Sequence, residues 1–293
     1  MEQEGFRTMR TGSDRLGQEP DTPALDALLQ PEWGQQVEAW RVLLGRCALK
    51  ASRKRVRSLR IATLRLQAAL EQGPALEGVR AVKRWKTQGK KLRRSLQPVR
   101  AADVYLQKLA SLRTPAAGPR TLPCSRACLR EIGTLENRIR QQRESAAEKL
   151  RSEIEERRER LERRSRELEK ALESATDRAE GAAAWQLFVR LNEEFKELNG
   201  ANLHEYRKGL KKVRYLAEAD PQAGRLALPC KKMLDAAGDW HDWQELAREA
   251  GRGVAGKEGG LAAVLGSRTE EALRRALVLC RRSRARLLKS QTG

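Results

Sequence analysis

Apolar residues recur at spacings of three and four along most of the chain, the pattern of helices that bury one face. The clearest case is the stretch 34–71, where this pattern continues from Val37 to Leu70 and predicts a single helical stretch. No segment shows the alternation of apolar and polar residues that is typical of a half-buried strand. The pattern therefore predicts an all-α protein.

Glycine and proline divide the remainder into further predicted elements. Residues 1–23 form a predicted disordered N-terminal segment that ends at Pro20 and Pro23, and a proline-rich loop is predicted at 114–123. Helices are predicted at about 78–96, 101–113, 203–218, 225–237, 240–250 and 261–289.

The stretch 125–179 lacks proline and is rich in charge. Its glutamates and arginines are often four residues apart, as in Glu153 and Arg157, and such pairs support solvated helices. The sequence leaves two interpretations open, a long helix or a helical hairpin that projects from the body. A hairpin would turn near Ser152 or Ser165.

Net charge is the strongest feature of the composition. The formal charge of +21 predicts attraction to a polyanion, whereas the 4% aromatic content argues against a β-sandwich or barrel.

The five cysteines are an odd, scattered set, as expected of reduced thiols. The N-terminus lacks the apolar segment of a signal peptide. The sequence also contains no run of about 18 apolar residues, the length needed to span a membrane. The expected location is the cytoplasm.

The positive charge is concentrated in four blocks without an acidic residue. Residues 46–65 hold eight basic side chains, 80–100 hold nine, 207–214 hold five and 272–293 hold seven. Charge that serves solubility alone would be spread more evenly.

Within three of these blocks the cations follow helical spacing and predict three cationic rows. Like charges four residues apart destabilise an isolated helix, so three rows imply a ligand that offsets the repulsion. The rows consist of Arg46, Lys50, Arg53, Arg57 and Arg60; of Lys83, Lys86, Lys90 and Arg93; and of His204, Arg207, Lys211 and Arg214.

Two basic amphipathic segments suggest an internal repeat, one from Val56 to Leu70 and one from Leu203 to Tyr215. Together with the segment Gly238–Trp243, their order along the chain resembles the CHAD family, the conserved-histidine α-helical domain. The clearest matches are Leu203-His204-Glu205-Tyr206-Arg207 and Arg60-Ile61-Ala62-Thr63. The resemblance covers roughly residues 25–289.

This resemblance implies two pseudo-symmetric helical bundles, 24–180 and 181–289, that enclose a basic groove. It also implies that the groove binds inorganic polyphosphate without catalysis. Four positions depart from the family pattern. Arg57 replaces a histidine, Leu64 and Gln67 replace basic residues, and Ala101 replaces an acidic one.

We therefore predict a polyphosphate site formed by the cationic rows, with no catalytic residue, cofactor or metal. The predicted binding residues are Arg46, Lys50, Arg53, Arg57, Arg60, Lys83, Lys86, Lys90, Arg93, Arg94, His204, Arg207, Lys208, Lys211, Lys212 and Arg214. His241 and the six tryptophans are interpreted mainly as structural residues.

Two rival functions remain. A nucleic-acid-binding protein would need base-reading side chains or stacking aromatics, and neither is evident. A polyphosphatase or kinase would need carboxylates near the cations to hold a metal ion, and the basic blocks contain none. The sequence predicts neither a membrane partner nor a particular oligomeric state.

Overall fold

In the part of the chain that the computed structural model describes, every regular element is an α-helix. The structure describes residues 33–71, 78–113, 125–173, 182–219, 223–252 and 260–290, and no strand occurs in these ranges. The prediction of an all-α protein is confirmed. The eight helices are α1 (Trp33–Leu49), α2 (Arg53–Leu70), α3 (Arg80–Arg113), α4 (Arg126–Glu173), α5 (Ala182–Glu194), α6 (Leu203–Ala219), α7 (Gly224–Arg252) and α8 (Leu261–Lys289). The predicted disordered segment 1–23 and the predicted loop 114–123 lie outside the described residues.

The first predicted helical stretch is in fact two helices, because the chain turns between Leu49 and Arg53. Ser52 begins α2, and its hydroxyl oxygen accepts a hydrogen bond of 3.4 Å from the amide of Arg55, as an N-cap residue does. The apolar spacing continues across this turn because Cys47 and Val56 pack in the same core. Periodicity alone therefore did not reveal the break.

Two helices run through residues that predicted helix ends. Helix α3 contains Pro98, and α7 contains both Pro229 and Gly238. The predicted divisions 78–96/101–113 and 225–237/240–250 are therefore wrong. Proline removes one backbone hydrogen bond from a helix. At Pro98 this loss is outweighed by burial, since Leu96 and Val99 on either side are fully inaccessible to solvent.

Helix α4 is a single helix of 48 residues. Neither candidate turn is used: Ser152 is exposed mid-helix, while Ser165 is buried and donates a hydrogen bond of 2.8 Å to the carbonyl of Glu162. The helix does not project from the body, because Ile132 near its start and Leu168 near its end are both buried.

The buried side chains form two core clusters that share α3 and α4. The first combines α1 and α2 with the first part of α3 and the second part of α4, from Leu150 onward. The second combines α5 to α8 with the remaining parts of α3 and α4, up to Ile139. Both clusters include side chains of α3 and α4, so packing against these two long helices fixes the positions of the shorter helices. The predicted pseudo-symmetry and the division into 24–180 and 181–289 stay predictions.

Small residues let the helices approach closely where the motifs lie. A Cβ atom at Gly89 on α3 would lie 3.3 Å from Cγ2 of Thr63 on α2, and one at Gly209 on α6 would lie 2.3 Å from Cδ1 of Leu191 on α5. Thr63 also accepts a hydrogen bond of 2.9 Å from the indole of Trp40. These contacts hold α2 and α6 tightly against their own bundles.

The interpretation of the tryptophans as core residues agrees with the burial of Trp40, Trp85, Trp240 and Trp243. Cys47, Cys128, Cys230 and Cys280 are buried reduced thiols, and Cys124 lies outside the described residues. Among the described helices, none has the length and apolar character needed to cross a membrane.

Candidate functional site

A cleft of about 450 Å³ lies where α2, α3, α6 and α7 meet. We call it the central cleft. Eight of the side chains that line it are cationic and four are aspartates. The cations are Arg53, Arg57, Arg60, Arg100, Lys108, Arg207, Lys211 and Arg214, and the aspartates are Asp103, Asp235, Asp239 and Asp242.

Amphipathic α6 shows how the sequence places these cations. Tyr206, Leu210 and Val213 are fully buried in the core on one side of the helix. Arg207 and Lys211 each follow one of these buried residues by one position, and they lie four residues apart. Their side chains therefore leave α6 on the same side and line the cleft. On α2, Arg57 and Arg60 follow buried residues in the same way and line the cleft from the other core cluster.

Three cations at the centre of the cleft have no carboxylate partner among the described residues: Arg60, Arg207 and Lys211. The Nε groups of Arg60 and Arg207 are buried without a hydrogen-bond acceptor. Arg60 donates only a long bond of 3.3 Å from Nη2 to the side-chain oxygen of Gln97. Buried donors in folded proteins are normally satisfied by protein or by water, so these groups are available to an acceptor that enters the cleft.

The most buried of these cations packs against a glycine of α7. Arg207 is only 9% exposed, and its Nη2 lies 3.7 Å from where a Cβ atom of Gly238 would be, an ordinary van der Waals distance. Gly238 therefore lies inside α7 beside the guanidinium and does not end a helix.

The pKa values of the central cations report the same excess of positive charge. Burial lowers the pKa of Arg60 to about 10, and the nearby charge of Arg100 adds to this effect. Burial also lowers the pKa of Lys211 to about 7, helped by the charges of Arg207, Arg60 and Arg100. Since buried cations with partners keep their charge, these shifts mark a site with too little negative charge of its own.

Three aspartates that line the cleft are paired with cations of the protein. Asp242 pairs with Arg100 at 3.0 Å, and Asp103 pairs with Arg143 at 2.8 Å. Asp239 is contacted by Lys108 and, at 3.3 Å, by Arg275. Each of these carboxylates is therefore engaged by a cation of its own.

The described residues contain no group of three or more histidine, cysteine or acidic side chains placed to hold a metal ion. The aspartates of the cleft face it from separate positions on α3 and α7. What the arrangement provides is a set of donors for an anion with several oxygen atoms.

Six of the sixteen predicted binding residues line the central cleft: Arg53, Arg57, Arg60, Arg207, Lys211 and Arg214. Arg214 is partly neutralised, because its Nε lies 2.7 Å from Glu218. Arg93 lies near the cleft, because its charge interacts with Tyr215, which lines the cleft. Burial lowers the pKa of Arg93, while Glu71 and Tyr215 act in the opposite direction.

The turn between α1 and α2 interrupts the predicted cationic row from Arg46 to Arg60. The prediction of one continuous row is therefore wrong. Arg46 and Lys50 lie at the end of α1, where the carbonyl of Arg46 accepts bonds from the amide of Lys50 and, at 3.1 Å, from Arg55. Neither residue lines the cleft.

The other predicted residues also lie outside the cleft. Lys83 and Lys90 are exposed, and Lys86 partly exposed, on the first half of α3. Lys208 pairs with Glu205 at 2.8 Å, and Lys212 pairs with Glu71 at 3.5 Å.

Arg94 lines a separate groove of about 740 Å³ between α3 and α4. Lys91 and Lys149 contribute further charge to that groove, and Glu153 at one end is bonded by Ser95 and lies 3.8 Å from Arg157.

The sequence-based list missed Arg100, Lys108 and the four aspartates. Arg100 was detectable, since it lies seven residues after Arg93 in a block without acids. Lys108 and the aspartates carried no such signal, because only the packing of α3 against α7 brings them to the cleft. Lys108 also lies 4.7 Å above the ring of Trp243.

The two histidines form a pair beside the cleft. The ring centroids of His204 and His241 are 4.8 Å apart, and Nδ1 of His241 is buried without a partner. Burial, followed by the charges of Arg207 and His204, lowers the pKa of His241 to about 4. Burial also lowers the pKa of His204, with Lys208 and Arg207 adding to the effect. Both rings are therefore neutral at pH 7, and neither lines the cleft.

Among the described residues, two helical core clusters share α3 and α4, and cations line a cleft where α2, α3, α6 and α7 meet. The family model of the CHAD domain matches residues 32–250, most of the chain. The protein belongs to the CHAD family.

Comparison with solved structures gives a similar fold in PptA from Streptomyces chartreusis. The TM-score is 0.56 at 16% sequence identity, and the match covers 90% of this chain and 99% of that one. At this identity the similarity concerns the fold. Comparison with curated protein sequences gives no match.

Proposed function

We propose that the protein binds inorganic polyphosphate in the central cleft and catalyses no reaction on it. The observation that carries this proposal is the group of three central cations, Arg60, Arg207 and Lys211, that have no carboxylate partner among the described residues. A polyanion that enters the cleft would supply the missing acceptors to both bundles at once.

The chemistry of the lining favours phosphate. Arginine presents a planar fork of donors that matches two phosphate oxygens, and lysine adds a point charge. Polyphosphate repeats such oxygens along an unbranched chain, so several cations along the cleft can bind it together. Membership of the CHAD family supports the same ligand, since polyphosphate binding is what the sequence motifs imply.

A nucleic acid is the less favoured ligand. Tyr215 is the one aromatic side chain in the cleft lining, and it is half-buried. Single-stranded nucleic acids are usually bound by several aromatic side chains on which bases stack. The cleft offers many donors to phosphate and little to a base.

A binding role without catalysis is supported by the state of the carboxylates. Asp239 and Asp242 are each engaged by a cation of the protein, and Asp103 is engaged through Oδ1, so these carboxylates are poorly placed to hold a metal ion together. We expect a protein of the cytoplasm that associates with polyphosphate there.

Isothermal titration with long-chain polyphosphate tests this proposal. The variant Arg207→Glu with Lys211→Glu should lose binding, because it places two negative charges at the centre of the cleft. A matched control is Arg282→Glu with Arg286→Glu, which changes the net charge equally on exposed positions of α8. If the control weakens binding as much as the cleft variant, the protein binds by net charge and the cleft has no special role.

Two further assays separate the rival functions. Polyphosphate should displace DNA at a much lower concentration than DNA displaces polyphosphate. Release of phosphate in the presence of Mg²⁺ or Mn²⁺ would show that the protein is an enzyme.

A further inference from the structure

Lys211 occupies an unusual place in the central cleft. It is partly buried on α6, and its ammonium group has no carboxylate partner among the described residues. It differs in this from Lys208 and Lys212 on the same helix, which are exposed and paired with Glu205 and Glu71. Lys211 is thus the one lysine of α6 enclosed by the cleft.

Charges on each helix that borders the cleft act on Lys211. Arg60 approaches from α2, Arg100 from α3, and Arg207 from the preceding turn of α6. On α7 the opposing charge is Asp242, which is already bonded by Arg100 at 3.0 Å. Helix α5 packs against the other side of α6, where Leu191 meets Gly209. Three guanidinium groups therefore face Lys211, and the single carboxylate is largely neutralised.

We propose that the binding of polyphosphate in the central cleft is coupled to the uptake of a proton by Lys211, so that affinity falls as the pH rises above neutrality. This inference rests on the proposed function and adds a regulatory property to the same site. The proton comes from solvent, and the amine of Lys211 becomes an ammonium group next to the bound phosphates.

The direction follows from the charges around Lys211. In the free protein burial and the three arginines lower its pKa to about 7, so a large fraction of the amine is neutral at pH 7 to 8. A bound polyanion surrounds Lys211 with negative charge and raises that pKa again. Because the complex then holds more protons than the free protein, each step up in pH above 7 weakens binding. Between pH 6.5 and 9 the dissociation constant should rise on the order of tenfold or more.

Other groups near the cleft do not produce this profile. The pKa of Arg60 is lowered only to about 10, so its guanidinium is charged over most of this pH range. His204 and His241 do not line the cleft, and the pKa of each is below its usual value in the free protein, so either would take up a proton in this range only if bound polyphosphate raised its pKa past neutrality. Burial raises the pKa of Tyr215. Terminal phosphates of the ligand gain charge as pH rises, which would strengthen binding, and long chains keep their share small.

Titration calorimetry with long-chain polyphosphate at pH 6.5, 7.5, 8.5 and 9 tests the proposal. Lys211→Arg keeps a charge at every pH, so its affinity should vary much less with pH than that of the wild type. Lys232→Arg on the exposed surface of α7 is the matched control and should follow the wild type. At pH 8, wild-type titrations in two buffers of different ionisation enthalpy should show uptake of close to one proton. This measurement requires no variant of the protein.

The outcomes are distinguishable. Tight wild-type binding that is constant from pH 6.5 to 9, or that shows no proton uptake in the paired buffers, overturns the role of Lys211 and leaves the proposed function standing. A Lys211→Arg protein with the wild-type pH profile does the same. Absence of tight binding at every pH overturns the proposed function and this inference together.

Discussion

Replacing Lys211 by methionine should make the protein more stable and at the same time impair its binding of polyphosphate. The substitution keeps most of the volume of the side chain and removes its amine. In the free protein the ammonium form is unfavourable, because it is buried among Arg60, Arg100 and Arg207. A fold optimised for stability alone would not keep a lysine there.

The size of the effect follows from the pKa of Lys211, which falls from 10.5 to about 7 on folding. One pKa unit corresponds to about 1.4 kcal/mol, so the full shift sets a ceiling of roughly 4 to 5 kcal/mol. Water in the open cleft and relaxation of its neighbours reduce this, and we expect a gain of about 2 kcal/mol in the free energy of unfolding at pH 7. For a chain of this size that raises the melting temperature by roughly 4 to 8 °C.

The sign can be checked through pH. The unfolded chain binds the proton of Lys211 up to pH 10.5, whereas the folded protein loses it near pH 7. The penalty is therefore complete below pH 7 and shrinks as the pH rises from 7 towards 10.5. The advantage of Lys211→Met over the wild type should follow the same course.

Urea unfolding of both proteins at pH 6.5 and pH 9.5, followed by circular dichroism, measures this difference. Loss of one charge-assisted hydrogen bond should cost about 1.5 to 3 kcal/mol in polyphosphate binding, or about tenfold to a hundredfold in affinity. A variant that is no more stable than the wild type at pH 6.5, or whose advantage does not shrink by pH 9.5, would refute the reasoning about the unneutralised cleft.

Three further predictions concern the same cleft and its support. Raising the salt concentration should weaken polyphosphate binding steeply. Each cleft cation that is removed should make the slope of log affinity against log salt concentration shallower by about one, which titrations of Arg60→Gln at several salt concentrations would measure. Asp242→Asn should strengthen polyphosphate binding because it frees Arg100, which Asp242 now holds at 3.0 Å, and should lower stability slightly; unchanged affinity in calorimetry would contradict this. Gly209→Ala should lower the free energy of unfolding by about 1 to 3 kcal/mol, since the new Cβ atom would overlap the side chain of Leu191. In a double-mutant cycle followed by urea unfolding, the same change should cost less when Leu191 is already alanine.

The helical class and much of the cationic lining could be predicted from the sequence because both depend on local spacing. Arg207 and Lys211 lie beside a buried apolar row, and this offset alone directs them to a common face of α6. The same reasoning failed for Arg46 and Lys50, because a helix break at Leu49 changes their direction while the apolar spacing continues into the same core.

Helix ends were the least predictable feature. Pro98 and Gly238 usually end helices, yet each lies inside one, since burial of Leu96 and Val99, and of Ala237 and Trp240, outweighs the local preference. Gly238 packs beside the guanidinium of Arg207.

The aspartates of the cleft could not be placed from the sequence either. Asp103 on α3 and Asp239 on α7 are far apart in the chain, and only the packing of these two helices brings both to one cleft. The sequence shows an excess of cations, but it does not show which cations are neutralised by a partner.

A crystal structure of the protein with bound polyphosphate tests the central claim most directly. Our account predicts phosphate groups within hydrogen-bond distance of Nε of Arg60, Nε of Arg207 and Nζ of Lys211, three cleft groups that have no carboxylate partner among the described residues. Phosphate density on the exposed lysines of α3, with the central cleft empty, would contradict it.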